Sequence, residues 1–109
     1  MTLHNEQLRN ELVRTEATMV QVIRRAGHGV NPGFSRRLDQ HSRALRSLLD
    51  DEGAAAASEA ISAAKRAMEA ADPAAPLLML AMAREQLTLR VRRHLSRAGR
   101  RRAVSADAG

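Results

Sequence analysis

The stretch "RVRRHLSRAGRRR", Arg90 to Arg102, contains seven arginines in thirteen residues. A guanidinium holds its charge at any ordinary pH and presents a planar fork of donors that matches phosphate or carboxylate oxygens. Arg90, Arg93, Arg97 and Arg100 recur at spacings of 3, 4 and 3, with Arg92, Arg101 and Arg102 beside them. On a helix that spacing lines up one row of charge. Such a row could track backbone phosphates, each neutralised phosphate adding to the salt dependence of binding. It could instead meet an acidic protein surface, or face water and complement the dipole at a helix C-terminus. The phosphate option lacks its usual companions. No aromatic residue stands near the row for base stacking. No zinc-finger spacing occurs, and no short turn leads into a recognition helix with a reading face.

The other reactive side chains do not assemble into a catalytic pattern. Asp50, Asp51 and Glu52 are adjacent, so they splay around a backbone, whereas a general acid and base must converge on one pocket. The serines lack a G-x-S-x-G setting, and no glycine loop suits a phosphate. His4, His28, His41 and His94 contain no H-x-x-x-H pair, and a metal needs several converging ligands. His41 lies mid-segment in "HSRALRSLL", but histidine phosphotransfer domains carry lysine and glycine just after an exposed histidine. Here Ser42, Arg43 and Ala44 follow, and His41 falls on the apolar stripe. A hydrogen-bonded interior histidine is the expectation. The sequence therefore predicts a non-enzymatic protein with no cofactor and no metal.

Four segments must position these groups. Among 109 residues, 44% are hydrophobic but the only aromatic is Phe34. Alanine, leucine, methionine and valine must pack the core, which helices do readily and sheets seldom do. In the first segment, roughly 3–26, Leu8, Leu12, Thr15, Met19, Val22 and Ala26 recur every 3 or 4 residues, and Ile23 widens the stripe. "GHGVNPG" breaks it: Gly27 can close the first helix, and Asn31-Pro32 reads as an N-cap followed by a first-turn proline. The second segment, 32–50, repeats the spacing with Phe34, Leu38, His41, Leu45 and Leu48. The acidic cluster and Gly53 suggest a stop, although one glycine can be carried within a helix. Ala57, Ile61, Ala64, Met68 and Ala71 form the small-residue stripe of the third, 54–71. After the turn "DPAAP", the fourth, 74–99, places Leu77, Leu80, Leu87, Val91, Leu95 and Ala98 on one face. Leu78, Met79, Met82 and Leu89 lie elsewhere on its wheel, so its first half is apolar nearly all round and calls for enclosure by other helices or subunits. Arg84 falls inside the apolar stripe, where a charge must snorkel, pair with an acidic residue of another segment, or face a partner.

Short breaks between amphipathic segments favour antiparallel neighbours. The expected fold is an all-α bundle of about four helices in antiparallel hairpins over residues 1–99, with oligomerisation as a further means of completing it. Residues 100–109 read as a flexible basic tail. Residues 1–72 carry ten basic and ten acidic side chains, so the whole net charge of +6 lies in residues 73–109. Cysteine is absent, which excludes disulfides and thiolate metal sites. The polar start has no signal-peptide pattern, and the apolar run Pro76 to Ala83 is far too short to span a bilayer. A cytoplasmic protein without membrane contact is expected.

The stretch Asp72 to Arg100 resembles the C-terminal part of type III secretion needle or inner-rod subunits, through Asp72-Pro73 and the Leu77–Leu80 run. Those are small, cysteine-free helical proteins in which an Asp/Pro turn precedes a long helix that polymerises. The resemblance covers about a quarter of the chain and implies an assembly subunit. This helix is richer in arginine than theirs, and the first segment is strongly patterned. The residues themselves point to an interaction module: an adaptor, chaperone-like binder, inhibitor or assembly subunit. Its protein partner would be acidic, contacted through Arg90, Arg93, Arg97, Arg100, Arg101 and Arg102. Arg84, Leu78, Met82 and Leu89 are the candidate interface, with a homo-oligomer as one use of it. Backbone phosphates of a nucleic acid are the alternative target of the arginines.

Overall fold

Three of the four helices start where a side chain can take over backbone donors that a first turn leaves free. The computed structural model describes residues 2–108, with side chains placed over 3–97. Helix α1 spans Thr2–Arg24, α2 Pro32–Leu48, α3 Asp51–Glu69 and α4 Ala74–Ala108, with no strand among the described residues. Asn31 caps α2, its side chain accepting from the Phe34 N–H at 2.8 Å, with Pro32 at the first helical position. Asp50 caps α3 in the same way, accepting from the Gly53 N–H at 2.8 Å. Asp72 accepts from the Ala74 N–H at 3.2 Å and opens α4. Pro76 lies in that first turn, where its missing donor leaves no helical bond unmade.

Two boundaries differ from the sequence reading. The acidic cluster begins α3 rather than ending α2: Leu49 is the C-cap of α2 and Asp50 the N-cap of α3, while Asp51 and Glu52 occupy the first turn. Carboxylates there complement the positive end of the helix dipole. Gly53 is a buried member of that turn, and a Cβ built on it would lie 2.8 Å from the Leu49 Cβ. The second difference is at the end of the chain. Helix α4 does not stop near 99 but runs through Gly99 to Ala108, because one glycine costs only about 1 kcal/mol among arginines and alanines that favour a helix. Arg100, Arg101 and Arg102 belong to this extension, and their side chains lie outside the described residues. At 35 residues α4 is about 52 Å long, which accounts for the 58 Å long axis of the molecule.

Cross-helix contacts show an up-down-up-down path. His4 lies against the Leu48 carbonyl and Gln21 meets Arg37. Lys65 bonds Asp39, Glu52 bonds Arg90, and Glu16 bonds Arg84. Helix α3 is the hub. Its buried residues Gly53, Ala57, Ala60, Ile61, Ala63, Ala64, Ala67 and Met68 let the other three helices approach closely. It packs most extensively on α4, then on α2, and reaches α1 diagonally. Helices α2 and α4 flank it without touching one another. Leu8, Met19, Leu38, Leu45, Met68, Leu80, Leu87 and Val91 fill the space around this small-residue core. Phe34 closes one end, with the guanidinium groups of Arg25 and Arg37 at 5.3 and 5.5 Å from its ring centre.

The α1–α2 loop is held by α3. Gly27 and Gly29 have φ of +82° and +87°, a region open to glycine but costly for other residues. This shape turns the Gly27 N–H onto the Ala67 carbonyl at 3.1 Å and the Gly29 N–H onto the Met68 carbonyl at 2.8 Å. The loop thus satisfies two carbonyls of the last turn of α3, which no residue of α3 itself could reach.

Candidate protein-interaction face

The arginine row is divided by the fold. Arg90 bonds Glu52 at 2.7 Å and Arg97 bonds Asp50 at 3.0 Å, so two of its four members answer the acidic cluster at the start of α3. The Gly53 N–H holds the Asp50 carboxyl below the usual carboxylate range; Arg97 and His94 reinforce this, against a smaller opposing effect of desolvation. Arg92 and Arg93 are exposed and make no ion pair among the described residues. Arg84 takes the internal option: its Nε donates to Glu16 Oε2 at 3.1 Å, and its Nη2 donates to the same oxygen. Both side chains are half-buried. Arg84 thereby ties α4 to α1.

The apolar candidates do not share that inner side. Leu78, Met82 and Leu89 point outward from α4, with Leu78 64% and Met82 55% exposed, and Met79 is exposed beside them. The enclosure expected for the first half of α4 is therefore not supplied by the chain's own helices. Helix α1 adds to this surface in a way its sequence did not reveal. Val13, Val20 and Ile23 are all exposed, Val13 at 69%, although Ile23 was expected to widen the core stripe. The seven-residue interval between Val13 and Val20 was the available signal, hidden among charged neighbours. Every large hydrophobic side chain exposed among the described residues lies on α1 or α4.

These two helices are neighbours, yet they make the slightest contact of any touching pair. Glu16–Arg84 bridges them midway, and the His4 and His94 rings meet 5.7 Å apart near one end. Between them lies an open hollow of about 260 Å³ lined by Glu16, Ala81, Arg84, Glu85 and Thr88. Ala81 and Thr88 are too small to fill it. On the other flank of α4, a second hollow of about 230 Å³ runs between Ala56 and Glu59 of α3 and Met79, Met82, Ala83 and Gln86.

The one arrangement with the parts of a proton relay is sealed. His41 Nδ1 lies 2.7 Å from Glu11 Oε1, and its Nε2 lies 2.8 Å from Thr18 Oγ1. Carboxylate, imidazole and hydroxyl in series can activate a nucleophile, but Thr18 is 4% exposed and Glu11 8%. Thr18 also reaches back to the Arg14 carbonyl at 3.2 Å. The network joins α1 to α2, and His41 is the hydrogen-bonded interior histidine that its stripe position implied. Among the described residues no group of three or more His, Asp or Glu side chains could hold a metal, and no helix is long and apolar enough to cross a membrane.

Compared with known protein families, characterised proteins and solved structures, the chain gives no significant match to any of them.

Proposed function

We propose that this protein is a non-enzymatic interaction module, an adaptor, chaperone-like binder, inhibitor or assembly subunit, that docks an acidic protein partner on its α1/α4 face. The observation that carries this reading is the confinement of all exposed large apolar side chains among the described residues to those two helices. Large apolar side chains exposed on two neighbouring helices of a small protein mark a place where something binds. Arg92 and Arg93, at one end of it, supply charge with no acidic counterpart among the described residues. Backbone-phosphate binding through Arg90 to Arg102 is less favoured, since Arg90 and Arg97 face Glu52 and Asp50. That alternative requires a steep loss of duplex-DNA affinity with salt, which Arg93→Ala with Arg97→Ala would flatten.

Site-specific photocrosslinking in cells tests the proposal. A photoreactive residue at position 78 or 20 should form protein adducts, and one at position 43, on the exposed side of α2, should not. No adducts from position 78, or equal yields from position 43, would refute it.

A further inference from the structure

We propose that the α1/α4 seam accepts a fifth helix: one amphipathic helix of a partner protein, about three turns in contact, with acidic residues at one end. This rests on the interaction reading above and adds the shape and charge of the occupant.

The seam has walls, a floor and polarity. Its walls are Val13, Val20 and Ile23 on α1 and Leu78 and Leu89 on α4. Its floor is the hollow where Ala81 and Thr88 leave room beside the Glu16–Arg84 pair. Val13 to Ile23 and Leu78 to Leu89 each cover about 15 Å of helix rise, matching three turns of an inserted helix. An amphipathic helix in an apolar groove needs anchors at i, i+3 or i+4, and i+7, which fits that length. Covering the floor buries Glu16 and Arg84 as a bonded pair, so neither of these two charges is stranded.

Charge selects the occupant. One turn past Leu89, Arg92 and Arg93 project from α4 without ion partners among the described residues, and Glu85 is the one acid of α4 lining the hollow. Helix α4 has eight arginines against Glu85 and Asp107. A second copy would bring an equally basic α4 against this one, and like charges facing each other across an interface oppose association. An acidic end on the incoming helix meets Arg92 and Arg93 instead.

The probe is a synthetic, helix-stabilised peptide of about four turns, with leucines at helical spacing and glutamates clustered at one end. Its twin carries lysines for the glutamates. Fluorescence anisotropy should show micromolar binding of the glutamate peptide and at least about tenfold weaker binding of the lysine peptide. Val20→Glu with Leu78→Glu should abolish binding. Arg92→Glu with Arg93→Glu should reverse the peptide preference, and Arg43→Glu should change nothing. All these side chains are exposed, and circular dichroism of each variant verifies the helices. Failure of the glutamate peptide to bind, or undiminished binding by the Val20→Glu, Leu78→Glu variant, overturns the inference. A dimer in light scattering that Leu78→Glu dissolves would also overturn it. That outcome assigns the seam to a second copy and leaves the broader interaction reading in place.

Discussion

Replacing His41 by leucine tests whether the polar contact between α1 and α2 behaves as a coupled unit. The substitution removes the 2.7 Å contact to Glu11 and the 2.8 Å contact to Thr18. Glu11 then keeps only the Thr15 hydroxyl at 3.4 Å and the exposed Arg14 at 3.7 Å. Leaving a buried carboxylate short of a hydrogen-bond partner costs about 1–3 kcal/mol, more where the group is charged, and the residual contacts place this case near about 2–3 kcal/mol. Each kcal/mol moves the midpoint of a chain this size by about 4–8 °C, so a fall of at least about 8 °C is expected. Glu11→Leu with His41→Leu should recover most of that loss and unfold within about 1 kcal/mol of the wild type, because no carboxylate is then stranded. Thr18 retains the Arg14 carbonyl, and Thr15 can turn to the carbonyl one helical turn back. Urea unfolding of the wild type, both single variants and the double variant, followed by helical circular dichroism, gives the coupling directly. The reasoning fails if the double variant loses the sum of the two single losses, or if His41→Leu costs under about 0.5 kcal/mol.

Gly53→Ala should destabilise the protein by about 1–2 kcal/mol in the same assay, despite the better helix propensity of alanine, because the added methyl meets Leu49; a rise in stability would refute this. Gly29→Ala should cost about 1–2 kcal/mol, since space is open there but φ is +87°; an unchanged melting temperature would show that the loop relaxes freely. The lowered Asp50 carboxyl contributes stability that is complete above its ordinary value of 3.8 and is lost as pH falls through the folded value. Wild type should therefore lose more stability than Asp50→Asn on acidification below that value, and parallel pH profiles would contradict the assignment. Met82→Glu should leave the melting temperature nearly unchanged, because the side chain is exposed; a large drop would mean that it packs within the fold.

Local chemistry was legible in the sequence, and so was the side of each helix that turns inward. The stripes Leu8–Thr15–Met19–Val22, Phe34–Leu38–Leu45 and Leu80–Leu87–Val91 are all buried, and Asn31-Pro32 does start a helix. Both properties depend on spacing along one helix. Pairing between helices depends on rotation and vertical offset, which one-dimensional spacing does not carry. Thus Arg84 was recognisable as a charge needing a partner, but Glu16, 68 residues away, was not identifiable as that partner. The same holds for Arg90 with Glu52 and Arg97 with Asp50, which turned a row of apparent ligand contacts partly into internal fastenings. The outer face emerged only when α1 and α4 were side by side, because Val13 and Val20 alone look like isolated surface residues.

The amides of Gly27 and Gly29 resting on the carbonyls of Ala67 and Met68 also constrain the order of assembly. The last turn of α3 is completed by a segment made about forty residues earlier, so it cannot finish until the α1–α2 hairpin has come back to meet it. The exchange of these two loop amides with solvent should consequently report the opening of the whole bundle rather than the fraying of a loop.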